Sequence, residues 1–218
     1  MSPGQNGQSV ASVLRSDGGG FWSCVMSDVS LSGVKGLDLE GKQRQKVSTL
    51  LWRAVRQICD GGVNAIVVPR NDALFRPYPS GVVAYDRTPH SDGSHFDDSA
   101  GYYQPVISVK VSGDRPLRST TLVLDLVRCG ELMGGESFSI QHPTRGWRLY
   151  EIATVDMIDD ARAVVTFMPP LRESVTDGTD VEFDRPCCTM RLARPASMDL
   201  TVVPWTFNQA SVDFVEAP

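Results

Sequence analysis

Long apolar runs are missing from this 218-residue chain. Without about 18 uninterrupted apolar residues, no membrane-spanning helix is expected. Met1 to Gly7 also lack the basic and then apolar order of a signal peptide, so folding in the cytoplasm is expected. No Lys/Arg cluster able to neutralise a row of phosphates occurs, and the formal net charge is -5, which argues against tight nucleic-acid binding. Catalytic signatures are equally scarce: there is no Gly-x-Ser-x-Gly elbow, no His-Glu-x-x-His and no phosphate loop. Cysteine is sparse and odd in number at five, and Cys187 and Cys188 are adjacent, where a mutual disulfide would be strained. Reduced, mostly buried thiols are expected.

What is present is an ordinary globular composition, 41% apolar and 22% charged, enough to build one domain or two small ones sharing an interface. The first twenty residues, rich in Gly, Ser and Gln with a Gly18-Gly19-Gly20 run, predict a loose N-terminal arm. Phe21 to Met26 predicts a first strand. From Gly41 to Cys59, Val47, Leu50, Leu51, Ala54, Val55 and Ile58 recur at spacings of three and four, which predicts the one main helix, about 41–59. Gly61-Gly62 supplies a left-handed stop, and Val63 to Pro69 reads as a short strand. Prolines 77, 79 and 89 and a run of Asp, Ser and Gly predict a long loop over Asn71–Gly101, of a kind that is usually functional or contact-forming.

Beyond Tyr103 the period changes to two. Ile107, Val109 and Val111 alternate with polar residues, and so do Leu122, Leu124 and Leu126 with Val123 and Asp125. Further strands are predicted over Ser137–Ile140, Trp147–Val155, Arg162–Met168, Asp180–Phe183, Cys187–Leu192 and Ala210–Val215. Asp159-Asp160 closes a hairpin, Asp177-Gly178 makes a second turn, and Pro169-Pro170 ends a strand because proline donates no ladder hydrogen bond. The expected fold is therefore mainly β, a sandwich or barrel with one main helix and long loops. Its divisions are an arm at 1–20, a β-rich region with the helix and loop at 21–112, and a barrel-like region at 113–218. The last two could pack as a single domain.

Within these strands, Gly134-Gly135-Glu136-Ser137-Phe138-Ser139-Ile140-Gln141-His142-Pro143, Gly146-Trp147-Arg148-Leu149-Tyr150, Pro169-Pro170-Leu171-Arg172-Glu173 and Gly178-Thr179-Asp180-Val181-Glu182-Phe183 resemble tail proteins of long-tailed bacteriophages and prophages. The likeness extends upstream to Pro89-His90-Ser91-Asp92-Gly93, Phe96-Asp97-Asp98 and Gly101-Tyr102, covering most of the chain after about Leu37 but not the arm. It implies a distal tail protein: a structural, non-enzymatic adaptor that forms a ring, usually a hexamer, and joins the tail tube to the baseplate hub at the tail tip. The implied partners are further copies of the chain, the tail tube protein, the hub and other tail-tip proteins, with the tape measure protein as a further one. The implied location is the virion, after synthesis in the host cytoplasm. Gly-Glu-x-Phe-x-Ile followed by an aromatic-rich strand also resembles the barrels of other hub and tail-completion proteins. The larger members of the family carry an added carbohydrate-binding-like domain for which this chain is short. A ring lumen, if formed, is expected to be acidic or neutral, so that nucleic acid passes without adhering.

Each candidate site has a plainer reading beside it. The loop His90, Asp92, His95, Phe96, Asp97, Asp98, leading to Tyr102 and Tyr103, holds imidazoles and carboxylates that could ligate a divalent metal, but its spacing matches no recognised metal motif. A solvated or interface loop is the expectation, with no metal and no cofactor. Cys24, Cys59, Cys129, Cys187 and Cys188 with His142 are raw material for thiol catalysis, yet each cysteine lies in or beside an apolar run and reads as a buried structural thiol. Glu131, Glu136, Glu151 and Glu173 suggest no paired carboxylates and read as solvated strand-edge acids. Gly134-Gly135 precedes a strand and reads as a tight turn, not a phosphate nest. Trp22, Trp52, Trp147 and Trp205 are scattered and read as core or interface anchors. Arg145, Arg148, Arg172 and Arg185 surround the β block, where they either pair with acids of a neighbour or cover its surface. The candidate interface residues are thus the 90–103 loop positions named above with Arg145, Trp147, Arg172 and Arg185. An alternative of a different class is a host-recognition module whose β-sandwich binds surface carbohydrate.

Overall fold

The computed structural model describes residues 20–31, 39–71, 73–80, 106–200 and 209–218. The fold is mainly β with one long helix, as the change from a 3.6-residue to a two-residue period predicts. Its elements are β1 (Ser23–Ser30), α1 (Leu39–Cys59), β2 (Ile66–Pro69), β3 (Ser108–Val111), β4 (Thr121–Arg128), β5 (Ser137–His142), β6 (Gly146–Asp159), β7 (Arg162–Met168), β8 (Asp180–Val181), β9 (Cys187–Leu192) and β10 (Gln209–Glu216). The N-terminal arm and the loop around 90–103 lie outside the described residues.

Six strands form one sheet in the order β5-β6-β7-β4-β3-β8. Its two edges meet at a single bridge, where Ser139 and Glu182 exchange backbone hydrogen bonds of 2.9 and 2.8 Å, so the sheet curls into a nearly closed barrel. The alternating residues fill its interior: Val109, Val111, Leu122, Leu124, Phe138, Ile140, Tyr150, Ile152, Val165, Phe167 and Phe183 are buried. Phe138 sits at the centre of an aromatic group, with ring centroids 5.4 Å from Tyr150, 5.6 Å from Phe167 and 5.5 Å from Phe183.

A second sheet has the order β1-β10-β9-β2. In it β1 pairs with β10 and β2 with β9, while β3 joins the barrel. Strand β6 contributes side chains to both cores. Tyr150 and Ile152 point into the barrel, whereas Leu149 packs with Val68, Cys188, Met190, Leu192, Val212 and Phe214 of the second core. The β5–β6 turn is drawn onto β9 at Gly146, whose φ of +68° favours glycine and where a Cβ would lie 2.9 Å from Thr189 Oγ1. That hydroxyl accepts the Trp147 N–H at 3.1 Å.

Several boundaries differ from the sequence reading for identifiable reasons. Residues Val63 and Asn64 do not join β2, because their N–H groups bond back to the Asp60 and Cys59 carbonyls while the Asn64 side chain donates to the Ile58 carbonyl. Gly61 and Gly62 take positive φ values of 62° and 99°, the left-handed stop expected of them. Strand β1 runs on to Ser30 through an irregularity between Met26 and Val29. Strand β8 stops at Val181, since Glu182 already belongs to the bridge with β5.

Helix α1 makes the largest departure. Trp52, Val55 and Cys59 pack on the second core, but Val47, Leu50, Leu51 and Ile58 are 46 to 61% exposed. At 3.6 residues per turn these four share one stripe, adjacent to the narrower one that Trp52, Val55 and Cys59 occupy. The helix is apolar across a wider arc than the described residues cover.

Candidate functional site

Where β1, β6 and β10 converge, the barrel and the second sheet meet around one buried carboxylate. Alternation sends Val212, Phe214 and Glu216 to the same face of β10, so Glu216 occupies an inward position that would ordinarily be apolar. The same parity places Arg148 beside Tyr150 and Ile152 on β6. Both side chains are nearly inaccessible, at 1 and 3% exposure, and Arg148 Nη1 donates to Glu216 Oε1 at 3.2 Å. Arg172, just past the Pro169-Pro170 stop, grips the same carboxylate through two donors, Nε to Oε1 at 2.9 Å and Nη2 to Oε2 at 3.0 Å.

This junction ties distant parts of the chain together. The Trp22 N–H donates to Glu216 Oε2 at 3.1 Å, and the Glu216 N–H donates to the Trp22 carbonyl at 2.8 Å. Arg148 also donates to the Ala217 carbonyl, and Arg172 to the Gly20 carbonyl, while Phe21 covers the Arg172 guanidinium with its ring centroid 5.2 Å away. Trp22 Nε1 reaches the Leu149 carbonyl at 2.7 Å. A cavity of about 400 Å³ opens beside the cluster, lined by Arg118, Arg145, Arg148, Arg172, Glu216 and Phe21 among others. Chemically the junction is a fastener: a carboxylate satisfied by two guanidinium groups and a backbone N–H holds strand ends in register.

Of the candidate interface residues, Arg145 and Arg172 come together at this cavity. Trp147 stands elsewhere, on a cleft of about 460 Å³ at the barrel seam that it shares with Gln141, Asp180, Glu182 and Ser108. Arg185 lies next to it, its N–H bonded to Glu182 Oε1 at 2.8 Å. His90, Asp92, His95, Phe96, Asp97, Asp98, Tyr102 and Tyr103 lie outside the described residues. Glu216 and Trp22 were not candidates for this cluster. Their signal is the charge at an inward position of an alternating strand, which spacing alone shows for Glu216.

The thiols are poorly suited to nucleophilic attack. All five cysteines are free, three buried and two half-buried. Burial pushes Cys129 up to about 12, with the Glu136 charge adding to it, and burial pushes Cys188 up to about 11. Burial also holds His142 down at about 4, and its Nε2 shares a 2.7 Å hydrogen bond with the Tyr150 hydroxyl. Three of the acids read as solvated strand-edge groups have separate partners, and Glu136 is in fact buried. Glu136 accepts the Met133 and Gly134 N–H groups at 2.7 and 2.8 Å, Glu173 accepts the Thr144 hydroxyl at 3.0 Å, and Glu151 pairs with Arg70 at 3.3 Å. Gly134-Gly135 therefore turns around a carboxylate, not a phosphate. Among the described residues, no group of three or more His, Cys, Asp or Glu is placed to hold a metal ion. No helix among them is long and apolar enough to cross a membrane.

The fold and this junction define a mainly β protein in which a nearly closed six-stranded barrel is fastened to a second sheet. Comparison with family models and with curated proteins finds no match for the chain.

Proposed function

We propose that this chain is a structural virion protein of a phage tail, a ring-forming adaptor that joins the tail tube to the baseplate hub and performs no chemistry. The observation that carries the reading is that the stretches bearing the tail-protein resemblance, Gly134–Tyr150 and Pro169–Phe183, form one folded unit. They supply β5, the first residues of β6 and β8 of the barrel, and Arg172 of the junction. A rigid barrel with an exposed apolar helix stripe suits a subunit that is completed by neighbours.

Size-exclusion chromatography with light scattering, followed by electron microscopy, tests this reading. A closed ring of identical subunits, hexameric on the resemblance, is expected. A chain that stays monomeric at all concentrations and is absent from purified tails would remove the reading. Localisation by cryo-electron microscopy in the intact virion fixes its neighbours.

One observation favours a second reading, a carbohydrate-binding module for host recognition. The seam cleft is lined by Trp147 together with Gln141, Asp180, Glu182 and Ser108, an aromatic residue beside polar side chains. Specific glycan binding by the wild type that disappears in Trp147→Ala would support it; an array with no binding would exclude it.

A further inference from the structure

Two exposed surfaces of this molecule are complementary to each other. The first is the outer stripe of α1, where Val47, Leu50, Leu51 and Ile58 are exposed. Beyond Glu40 in its first turn, α1 carries bases but no Asp or Glu, in a chain whose net charge is -5. Lys46 and Arg53 flank the apolar stripe on one side and are exposed, whereas Arg56 is engaged by Asp199.

The second surface is the tip of the β6–β7 hairpin, in the other layer of the molecule. Here Met157 and Ile158 are 55 and 50% exposed, with Val127 at 66% on β4, the strand beside β7. Asp156, Asp159 and Asp160 adjoin these two residues along the hairpin and are exposed, and Asp125 lines a shallow depression with Val127, Asp159, Asp160 and Ala161. The base at the tip, Arg162, is taken up by Asp159 at 2.7 Å. Apolar residues with acids on one surface thus answer apolar residues with bases on the other.

Resting on the ring reading above, we propose that α1 of one copy seats against the β6–β7 hairpin tip of the next, forming the head-to-tail contact of the ring. Two different patches in contact make a heterologous interface, and heterologous contacts close into rings when the rotation per subunit allows it. Burial of Leu50, Leu51, Met157 and Ile158 supplies affinity, while Lys46 and Arg53 against Asp156 and Asp160 fix orientation and exclude the helix-on-helix alternative. No dimer in which like patches face each other satisfies those charges.

The test uses two charge-reversed full-length chains, Lys46→Glu with Arg53→Glu, and Asp156→Lys with Asp160→Lys. All four side chains are exposed, so both variants are expected to keep the wild-type melting temperature. Each alone is expected to associate at least about tenfold more weakly than the wild type, because like charges then oppose across every contact. An equimolar mixture is expected to restore rings in which the two masses alternate in equal number by native mass spectrometry, since each reversed patch finds its complement only on the other variant. Single variants that assemble as the wild type does, or a mixture that does not recover, overturn the interface while leaving the ring reading intact. A wild type that never forms a ring removes that reading itself, and this interface with it. Retention of duplex DNA by the wild type, lost in the helix variant while assembly is unchanged, would reassign the basic helix and also overturn the proposal.

Discussion

Glu216 carries more consequence than any other single side chain described. Its carboxylate is 1% exposed and faces two guanidinium groups, so its removal strands Arg148 in the interior without its counter-charge. Breaking a buried ion pair on one side costs about 3–5 kcal/mol, and Glu216→Gln is expected to lose stability of that order in urea or thermal unfolding. Arg56→Ala is the control. It removes an ion pair whose side chains are 44 and 57% exposed, and less than about 1 kcal/mol is expected. His142 makes a pH prediction. Burial lowers it from 6.5 to about 4 in the fold, so above pH 6.5 it is neutral both folded and unfolded and stability is unaffected. As pH falls from 6.5 to 4 the unfolded chain takes up a proton that the folded chain refuses, and stability drops by on the order of 3 kcal/mol at most. In His142→Gln, unfolding midpoints measured across that window are expected to fall less steeply than in the wild type.

Among the elements, the β5–β6 turn shows most directly how the two layers are held. Gly146→Ala adds a methyl group 2.9 Å from Thr189 Oγ1 at a φ of +68°, so it strains the turn and displaces the acceptor of the Trp147 N–H. A loss of about 1–3 kcal/mol is expected, with faster amide exchange at Trp147 as its local readout. The strands were legible in the sequence wherever one face is buried, since the alternation of Val109 and Val111, or of Leu122 and Leu124, is a direct record of that face. Which strand lies beside which was not legible, because alternation records a face and not a neighbour. The helix was legible by period but not by orientation: Val47, Leu50 and Ile58 keep the spacing of a buried stripe while lying exposed. The site was half legible. Arg145 and Arg172 were candidates, but their common cavity depends on Glu216, more than 40 residues further along the chain, and no local pattern carries that distance.

For the whole molecule, the β1–β10 pairing has a temporal side. Strand β1 bonds to β10 from Ser23 opposite Val215 to Ser30 opposite Gln209. Among the described strands, β1 therefore has no neighbour until β10 exists. The barrel is under no such delay, because its strands all lie between Ser108 and Val181. Contacts between near residues close with less entropy lost than contacts between distant ones, so barrel strands are expected to gain hydrogen-exchange protection before β1 and β10 in a pulse-labelled refolding reaction. Simultaneous protection would show that the layers fold as one unit. The Glu216 fastener thus acts as a completion signal, since Arg148 and Arg172 gain their shared counter-charge only once the end of the described chain has docked, and Gly20 and Trp22 are pinned at the same step. A truncated or stalled chain would retain a folded barrel and leave its second sheet unfastened.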